Sequence, residues 1–375
     1  MKKVISGAQA VAEAVKLCKP GVIAAYPITP QTPVMETICQ FVADGEINAE
    51  LIRVESEHSA MAACIGSQAT GVRSYTATAS QGLKLMSEML FVASGMRLPI
   101  VMTVANRALS APLNIWNDQS DSFAERDSGW IQLYVESAQE AFDTQMQAFK
   151  IAEETLTPVM VCMDGYVLSH TYEPVKLLEP GLVERFLPPY KPPVSLNPAK
   201  PATMGPVGDP QYYMIFKKQQ QDALEKAPEV IRAVNREFAS LSGRAWGNGL
   251  IEKVGLEGKS HAIITIGSVT GTARELADKL EIGIIKVKSL RPFPAEELRQ
   301  ACSGLESIGV IEKDISFGAN GALYDEVKAA LYTLDTRPKV SGFIAGLGGR
   351  DITLKDMESV MKKIKAGKEG TEWVM

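Results

Sequence analysis

Over the first 165 or so positions, short apolar runs alternate with segments whose apolar residues recur at helical spacing. Residues 22–26, 51–54, 73–78, 99–104 and 158–163 read as strands, and 34–43, 57–70, 82–95 and 138–154 as the helices between them. Such alternation predicts an open parallel sheet with helices on both faces. A further amphipathic helix, Gln9–Leu17, precedes it. Between Pro180 and Pro210 the pattern stops, and nine prolines there exclude helix and inner strand and predict an arm wrapped over the surface. The segment Gln211–Phe238 is helical with mixed charges, which suits a surface or interface helix. A second alternation starts near Ser260: the runs AIITIG, GIIKVK, SIGVIE and KVSGFIAG are separated by helical patterns at 270–280, 294–302, 320–331 and 353–365. Four strands and four helices predict a second, smaller α/β domain. The expected division is therefore 1–240, with the Pro-rich arm at 180–210, and 255–375.

Composition narrows the function classes. With 375 residues, 46% hydrophobic and 22% charged, the chain is too long for one compact core and suits two domains. Its net charge is −5 and it has no long Lys/Arg run, so nothing resembles a nucleic-acid footprint or a polybasic membrane patch. The N-terminus passes from MKK directly into a helix without a signal-type apolar segment, and no stretch reaches the roughly 18 apolar residues of a membrane span; a cytoplasmic location is expected. Cysteines at 18, 39, 64, 162 and 302 form no CxxC pair, and histidines stand only at 58, 170 and 261. Metal and iron–sulfur sites need clustered ligands, so any cluster is expected on another chain.

Candidate chemistry gathers where strands end. In YPITPQTP, Tyr26–Pro33, three prolines stiffen the loop after the first strand, and Thr29 would offer a hydroxyl to the crevice where open α/β sheets bind ligands; a plain Pro-rich turn is the alternative. RVESEHSA puts Ser56 at a helix N-cap and Glu57 in the first turn, where a glutamate often does no more than complement the helix dipole. TATASQGL is another strand-to-helix turn lined with hydroxyls, and its Gly82 admits close backbone approach. A third strand end delivers Asn106 and Arg107, followed by a loop carrying Trp116, Asn117, Asp118 and Asp121. Arg107 beside a threonine hydroxyl would suit a carboxylate clamp. GANG at 318–321 and GLGGRD at 346–351 could be anion sites or tight βα turns.

Taken together, YPITPQTP, VESEHSA, TATASQGL, NR followed by NIWNDQSD, SLRPFP at 289–294 and GLGGRD resemble the alpha subunit of 2-oxoacid:ferredoxin oxidoreductases, most closely the pyruvate type with four subunits. The resemblance implies a thiamine-diphosphate-binding, pyrimidine-type open parallel sheet domain followed by a transketolase C-terminal-like α/β domain. Glu57 matches the carboxylate that hydrogen-bonds the aminopyrimidine and favours the tautomer able to remove the C2 proton, with Glu55 the next candidate. Thr29 and Arg107 match positions that contact the substrate carboxylate, and Pro27, Ser80 and Gln81 lie in the motifs facing the cofactor. No GDG motif with a downstream asparagine occurs; MDGY at 163–166 is better read as a strand end. A beta subunit is therefore expected to supply the diphosphate and Mg2+ site, and beta and delta subunits the [4Fe-4S] clusters. A gamma subunit would supply part of the coenzyme A environment, and ferredoxin would accept the electrons. Pyruvate is the first-choice substrate, with 2-oxoisovalerate, 2-oxoglutarate or oxalate as alternatives within the family, and a noncatalytic scaffold as the alternative outside it. His58, adjacent to Glu57 on a helix, points about 100° away and is given no role.

Overall fold

A computed structural model describes residues 1–375. The first alternation folds into a seven-stranded sheet in the order Ser289–Arg291, Ile131–Val135, Val159–Asp164, Val101–Asn106, Ser74–Thr78, Val22–Ala25, Glu50–Arg53. Its neighbours are parallel except at the Ser289–Arg291 edge. Strands Ser74–Thr78, Val101–Asn106, Ile131–Val135 and Val159–Asp164 are buried at every position, as strands covered on both faces must be. The outer strand Glu50–Arg53 is exposed at both ends.

Several elements depart from the periodicity. Ile131–Val135 was not expected as a strand because Gln132 interrupts its apolar run; the side chain is nevertheless buried, donating to the Ser122 carbonyl at 2.9 Å. Lys2–Ser6 and Tyr172–Lys176 form a separate antiparallel pair. The expected helix 82–95 is two helices, Ser80–Leu85 and Ser87–Gly95, parted at Met86, whose ψ of 5° leaves the helical range. The exclusion of helix from 180–210 is also corrected. Pro180–Phe186 is helical, and its proline occupies the first turn, where a missing N–H forfeits no helical bond. The long helix runs over Pro210–Ser242, exposed through its first two turns and buried at Ala227, Ile231, Val234 and Phe238.

The second alternation forms a six-stranded sheet in the order Gly370–Trp373, Lys339–Ile344, Ser307–Glu312, His261–Ile266, Gly283–Val287, Ile251–Val254, parallel except for the last. The four expected strands are its inner members. Its two edges, IEKV and GTEW, were not legible because half of each is polar.

The two sheets are stitched together at three levels. Ser289–Arg291, from the second block, completes the edge of the first sheet. One apolar core includes Met102 and Tyr134 from the first sheet with Ile264, Val287 and Val310 from the second. Buried polar groups then cross the seam. Glu140 takes Lys286 Nζ at 2.6 Å and Lys288 Nζ at 2.7 Å. Lys313 Nζ donates to Asp164 at 2.8 Å, to Asn117 at 2.9 Å and to Ser268 at 3.0 Å. Asp164 is the last residue of its strand, as the MDGY reading required.

Candidate active site

Four parallel strands deliver the chemistry-bearing residues at their carboxyl ends, the side on which open α/β sheets hold ligands. Val22–Ala25 runs into the Pro-rich loop, where Pro27 and Thr29 are exposed and Gln31 is buried. Gln31 Oε1 accepts the Ile28 amide at 3.2 Å, while its Nε2 is buried without a partner.

Glu57 opens the helix Glu57–Ala69, behind an N-cap in which Ser56 Oγ accepts the Ser59 amide at 3.2 Å. The capping bond frees Glu57 from end-satisfying duty, since the helix already has its acceptor. Glu57 is 7% exposed and faces the next turn. A Cβ on Gly82 would lie 2.5 Å from Glu57 Oε1 and 2.6 Å from Thr78 Oγ1, so the Glu57 carboxylate and the Thr78 hydroxyl pack directly on the glycine and any larger residue must displace them. Thr78 Oγ1 and Gln81 Nε2 are also buried without partners. A buried carboxylate packed on Gly82 and two unsatisfied polar atoms beside it make a cradle suited to a ring with polar edges. Glu55, the other glutamate of this motif, is exposed and accepts Ser59 Oγ at 2.5 Å, a surface role that leaves Glu57 as the acid in the crevice.

Arg107 follows the strand Val101–Asn106 and is 7% exposed. Its Nε donates to the Asn114 carbonyl and its Nη1 to the Thr29 carbonyl, both at 3.0 Å. Two of the five N–H donors of the guanidinium are thus spent on main-chain oxygens, and three, both of Nη2 among them, remain for an anion. Thr29 reaches Arg107 through its main-chain oxygen rather than its hydroxyl.

Behind these groups lies Asp121, fully buried. Its Oδ2 accepts the Ser80 amide at 2.9 Å and the Arg107 amide at 3.0 Å, and its Oδ1 accepts Asn106 Nδ2 at 2.8 Å and the Ser122 amide at 2.7 Å. Burial pushes its pKa up to about 6, opposed by the Asn106, Arg107 and Ser80 hydrogen bonds. Ser80 holds a left-handed backbone (φ 47°), and its hydroxyl has a single hydrogen to give to either Ala108 O at 2.6 Å or Gln81 Oε1 at 2.5 Å. GLGGRD forms a βα turn with Gly346, Gly348 and Gly349 at positive φ, and it packs on the Arg107 loop: Asn114 Nδ2 donates to Gly348 O at 3.0 Å and the Gly348 amide to Asp118 at 3.2 Å.

A family described as pyruvate flavodoxin/ferredoxin oxidoreductase, thiamine diphosphate-binding, matches residues 13–236, and pyruvate:ferredoxin oxidoreductase core domain II matches 260–357. The chain belongs to the pyruvate:ferredoxin oxidoreductase family. Among its relatives, pyruvate synthase subunit PorA of Methanocaldococcus jannaschii is 52% identical, covering 99% of this chain and 97% of that protein. The PorA of Methanothermobacter thermautotrophicus is 48% identical over the same shares. Ketoisovalerate oxidoreductase subunit VorA of Pyrococcus abyssi is 45% identical over 100% and 97%. Of solved structures, a 2-oxoglutarate:ferredoxin oxidoreductase from Magnetococcus marinus superposes with TM-score 0.74 at 22% identity, over 98% of this chain. The chain spans 65% of the length of that neighbour. A split-gene transketolase superposes with TM-score 0.55 at 12% identity, over 98% of this chain and all of that one. Both likenesses concern the fold: paired α/β sheets joined as in this pyruvate:ferredoxin oxidoreductase family member.

Within that family frame, the structure draws Thr29, Arg107, Glu57 and the Ser80–Gly82 turn to one side of the sheet. Pro27 lies in the same loop as Thr29, exposed and without a hydrogen-bonding role. His58 makes no contact with the Glu57 carboxylate through a hydrogen bond. The residues that hold the site from behind, Asp121, Asn106 and Asn114, were visible in sequence only as strand-end and loop polar groups; the full burial of Asp121 among four donors is a signal that coordinates alone carry. A separate apolar concavity of about 700 Å³, bounded by Phe91, Met96, Met204 and Phe216, lies under the Pro-rich arm at the amino ends of the strands, remote from this chemistry.

Proposed function

We propose that this chain is the 2-oxoacid-binding subunit of a pyruvate:ferredoxin oxidoreductase. The reaction is oxidative decarboxylation of pyruvate with coenzyme A to acetyl-CoA and CO2, two electrons passing to ferredoxin. The observation that carries the reading is Glu57: a carboxylate only 7% exposed, packed on Gly82 at the carboxyl end of the sheet beside the partnerless Thr78 Oγ1 and Gln81 Nε2. A carboxylate so placed can take a hydrogen bond from a protonated ring nitrogen of thiamine diphosphate.

When bound, thiamine diphosphate supplies the carbon nucleophile and the electron sink for loss of CO2. Glu57 holds or moves a proton at the pyrimidine ring edge. Arg107 takes the substrate carboxylate through its remaining N–H donors, with the Thr29 hydroxyl beside it, and Gly82 lets Glu57 pack close to the turn. Pro27, Ser80 and Gln81 shape the cofactor-facing wall, Ser80 chiefly by setting the turn.

The exposed Leu113 (76%) and Trp116 (54%), in the loop that supplies Asn114 to Arg107, suit burial by a partner subunit. A beta subunit would bring the diphosphate and Mg2+ site, beta and delta subunits the [4Fe-4S] clusters, and a gamma subunit part of the coenzyme A environment. The complex would be cytoplasmic; no helix is long and apolar enough to cross a membrane. We assign residues 1–240 to the pyrimidine-binding domain and 255–375 to the transketolase C-terminal-like domain.

A second reading, 2-oxoisovalerate as substrate, is favoured by the relatives named ketoisovalerate oxidoreductase at 45% and 43% identity. The test is the reconstituted complex assayed with a panel of 2-oxoacids, wild type against Glu57→Gln. Pyruvate-dependent dye reduction that survives the substitution undiminished would remove Glu57 from the chemistry and favour a scaffold subunit.

A further inference from the structure

Neither strand-end turn of the site is fixed by the sheet alone. Ladder pairing in the strand leading to Glu57's neighbour Gly82 ends at Thr78, and Arg107 lies just past the last ladder residue, Asn106. Beyond those points both main chains converge on Asp121, whose Oδ2 accepts the Ser80 and Arg107 amides together. The Ser80 hydroxyl adds a cross-link to Ala108 O at 2.6 Å, so the two turns are tied by three bonds. One turn carries Gly82, on which the Glu57 side chain packs; the other sets the stem from which the Arg107 guanidinium reaches Thr29.

We propose that Asp121 is a positioning residue for the 2-oxoacid site, holding Arg107 toward Thr29 and Gly82 toward Glu57 without itself touching substrate. The proposal rests on Arg107 being the carboxylate clamp. All four partners of Asp121 are donors: the amides of Ser80, Arg107 and Ser122, and Asn106 Nδ2. Only a group with two acceptor oxygens satisfies all of them. An asparagine of nearly the same volume turns one oxygen into an NH2 and sets it against two donors, whichever way it flips. Asp121→Asn therefore separates hydrogen-bond geometry from packing.

The experiment uses the complete complex with wild type, Asp121→Asn, Arg107→Ala and the double variant, measuring kcat and KM for the 2-oxoacid together with the thermal midpoint. Asp121→Asn is expected to raise KM for the 2-oxoacid roughly tenfold, the scale of one charge-assisted hydrogen bond lost by a misaimed guanidinium. The double variant should bind the 2-oxoacid no worse than Arg107→Ala, because both substitutions remove the same interaction. A KM within about twofold of wild type for Asp121→Asn, beside a raised KM for Arg107→Ala, overturns the positioning role. Fully multiplicative effects in the double variant overturn it too. If Arg107→Ala leaves KM unchanged, the clamp itself fails, a result separate from the role of Asp121. Should Asp121→Asn not assemble, Ser80→Ala removes the hydroxyl's contacts with Ala108 O and Gln81 while sparing the Asp121 bonds; a smaller rise in the same KM is expected, and an unaltered KM counts against the inference.

Discussion

Arg107 Nη1 donates to the main-chain oxygen of Thr29 at 3.0 Å, joining two strand-end loops that lie 78 residues apart in the chain. The bond fixes the guanidinium with three N–H donors to spare, so Arg107→Ala should weaken 2-oxoacid use by about 2–4 kcal/mol in kcat/KM. Steady-state kinetics over a 2-oxoacid series checks this. Arg107→Lys should restore little, since a single ammonium cannot donate to Asn114 O, Thr29 O and a substrate in the same fixed plane.

Gly82→Ala is the smallest change that fills the cradle. Its Cβ would stand 2.8 Å from Glu57 Cγ as well as 2.5 Å from Oε1, and the carboxylate must swing away to admit it. Activity should fall at least about tenfold, the contribution of a misplaced acid–base group being larger still. Circular dichroism and assembly should stay those of wild type. Full activity in Gly82→Ala would place Glu57 elsewhere during turnover.

The seam between the sheets depends on a buried charge cluster. Burial raises the pKa of Glu140, but Lys286 and Lys288 outweigh it and hold the carboxyl down at about 2. The lysines diverge: neighbouring carboxylates raise Lys286 despite its burial, whereas burial and repulsion from Lys286 lower Lys288. A depressed carboxylate stabilises the fold above its unfolded pKa, and that contribution is lost as pH falls from about 4.5 toward 2. Glu140→Ala leaves Lys288 buried with only the Thr144 hydroxyl, while Lys286 keeps Glu136 at 3.1 Å, and should cost about 3–5 kcal/mol. Chemical denaturation read at several pH values measures it; a loss under about 1 kcal/mol would mean the lysines find water.

Glu312 should behave in the opposite sense. Burial pushes its carboxyl up to about 8, even though it accepts the Leu323 and Tyr324 amides at 2.7 and 3.0 Å. The folded protein then binds the proton more tightly than the unfolded chain, so this residue's contribution to stability declines as pH rises from about 4.5 to 8. Glu312→Gln cannot ionise and keeps one acceptor. Its stability relative to wild type should improve across that range by an amount on the order of a few kcal/mol. Thermal midpoints of the two proteins between pH 5 and 8 test it; parallel curves would sink the assignment.

The strands Val22–Ala25, Ser74–Thr78, Val101–Asn106 and Val159–Asp164, and the helices between them, were legible because short β-branched runs and helical apolar spacing are local properties of a chain. So were Thr29, Glu57 and Arg107 as candidates, since each follows such a run. Two things needed the third dimension. One was the set of edge and seam elements: Ser289–Arg291 is three residues long, and its place beside Ile131–Val135 follows from how the second block docks on the first. The other was which polar residues do structural duty. Asp121 and Asp118 belong to one loop, yet Asp121 ties two main chains while Asp118 receives Gly348 from the far sheet. A sequence records where side chains can hydrogen-bond, because donors and acceptors are fixed by residue type. Which partners they find depends on contacts between positions far apart along the chain, and only the folded arrangement of the two sheets selects them.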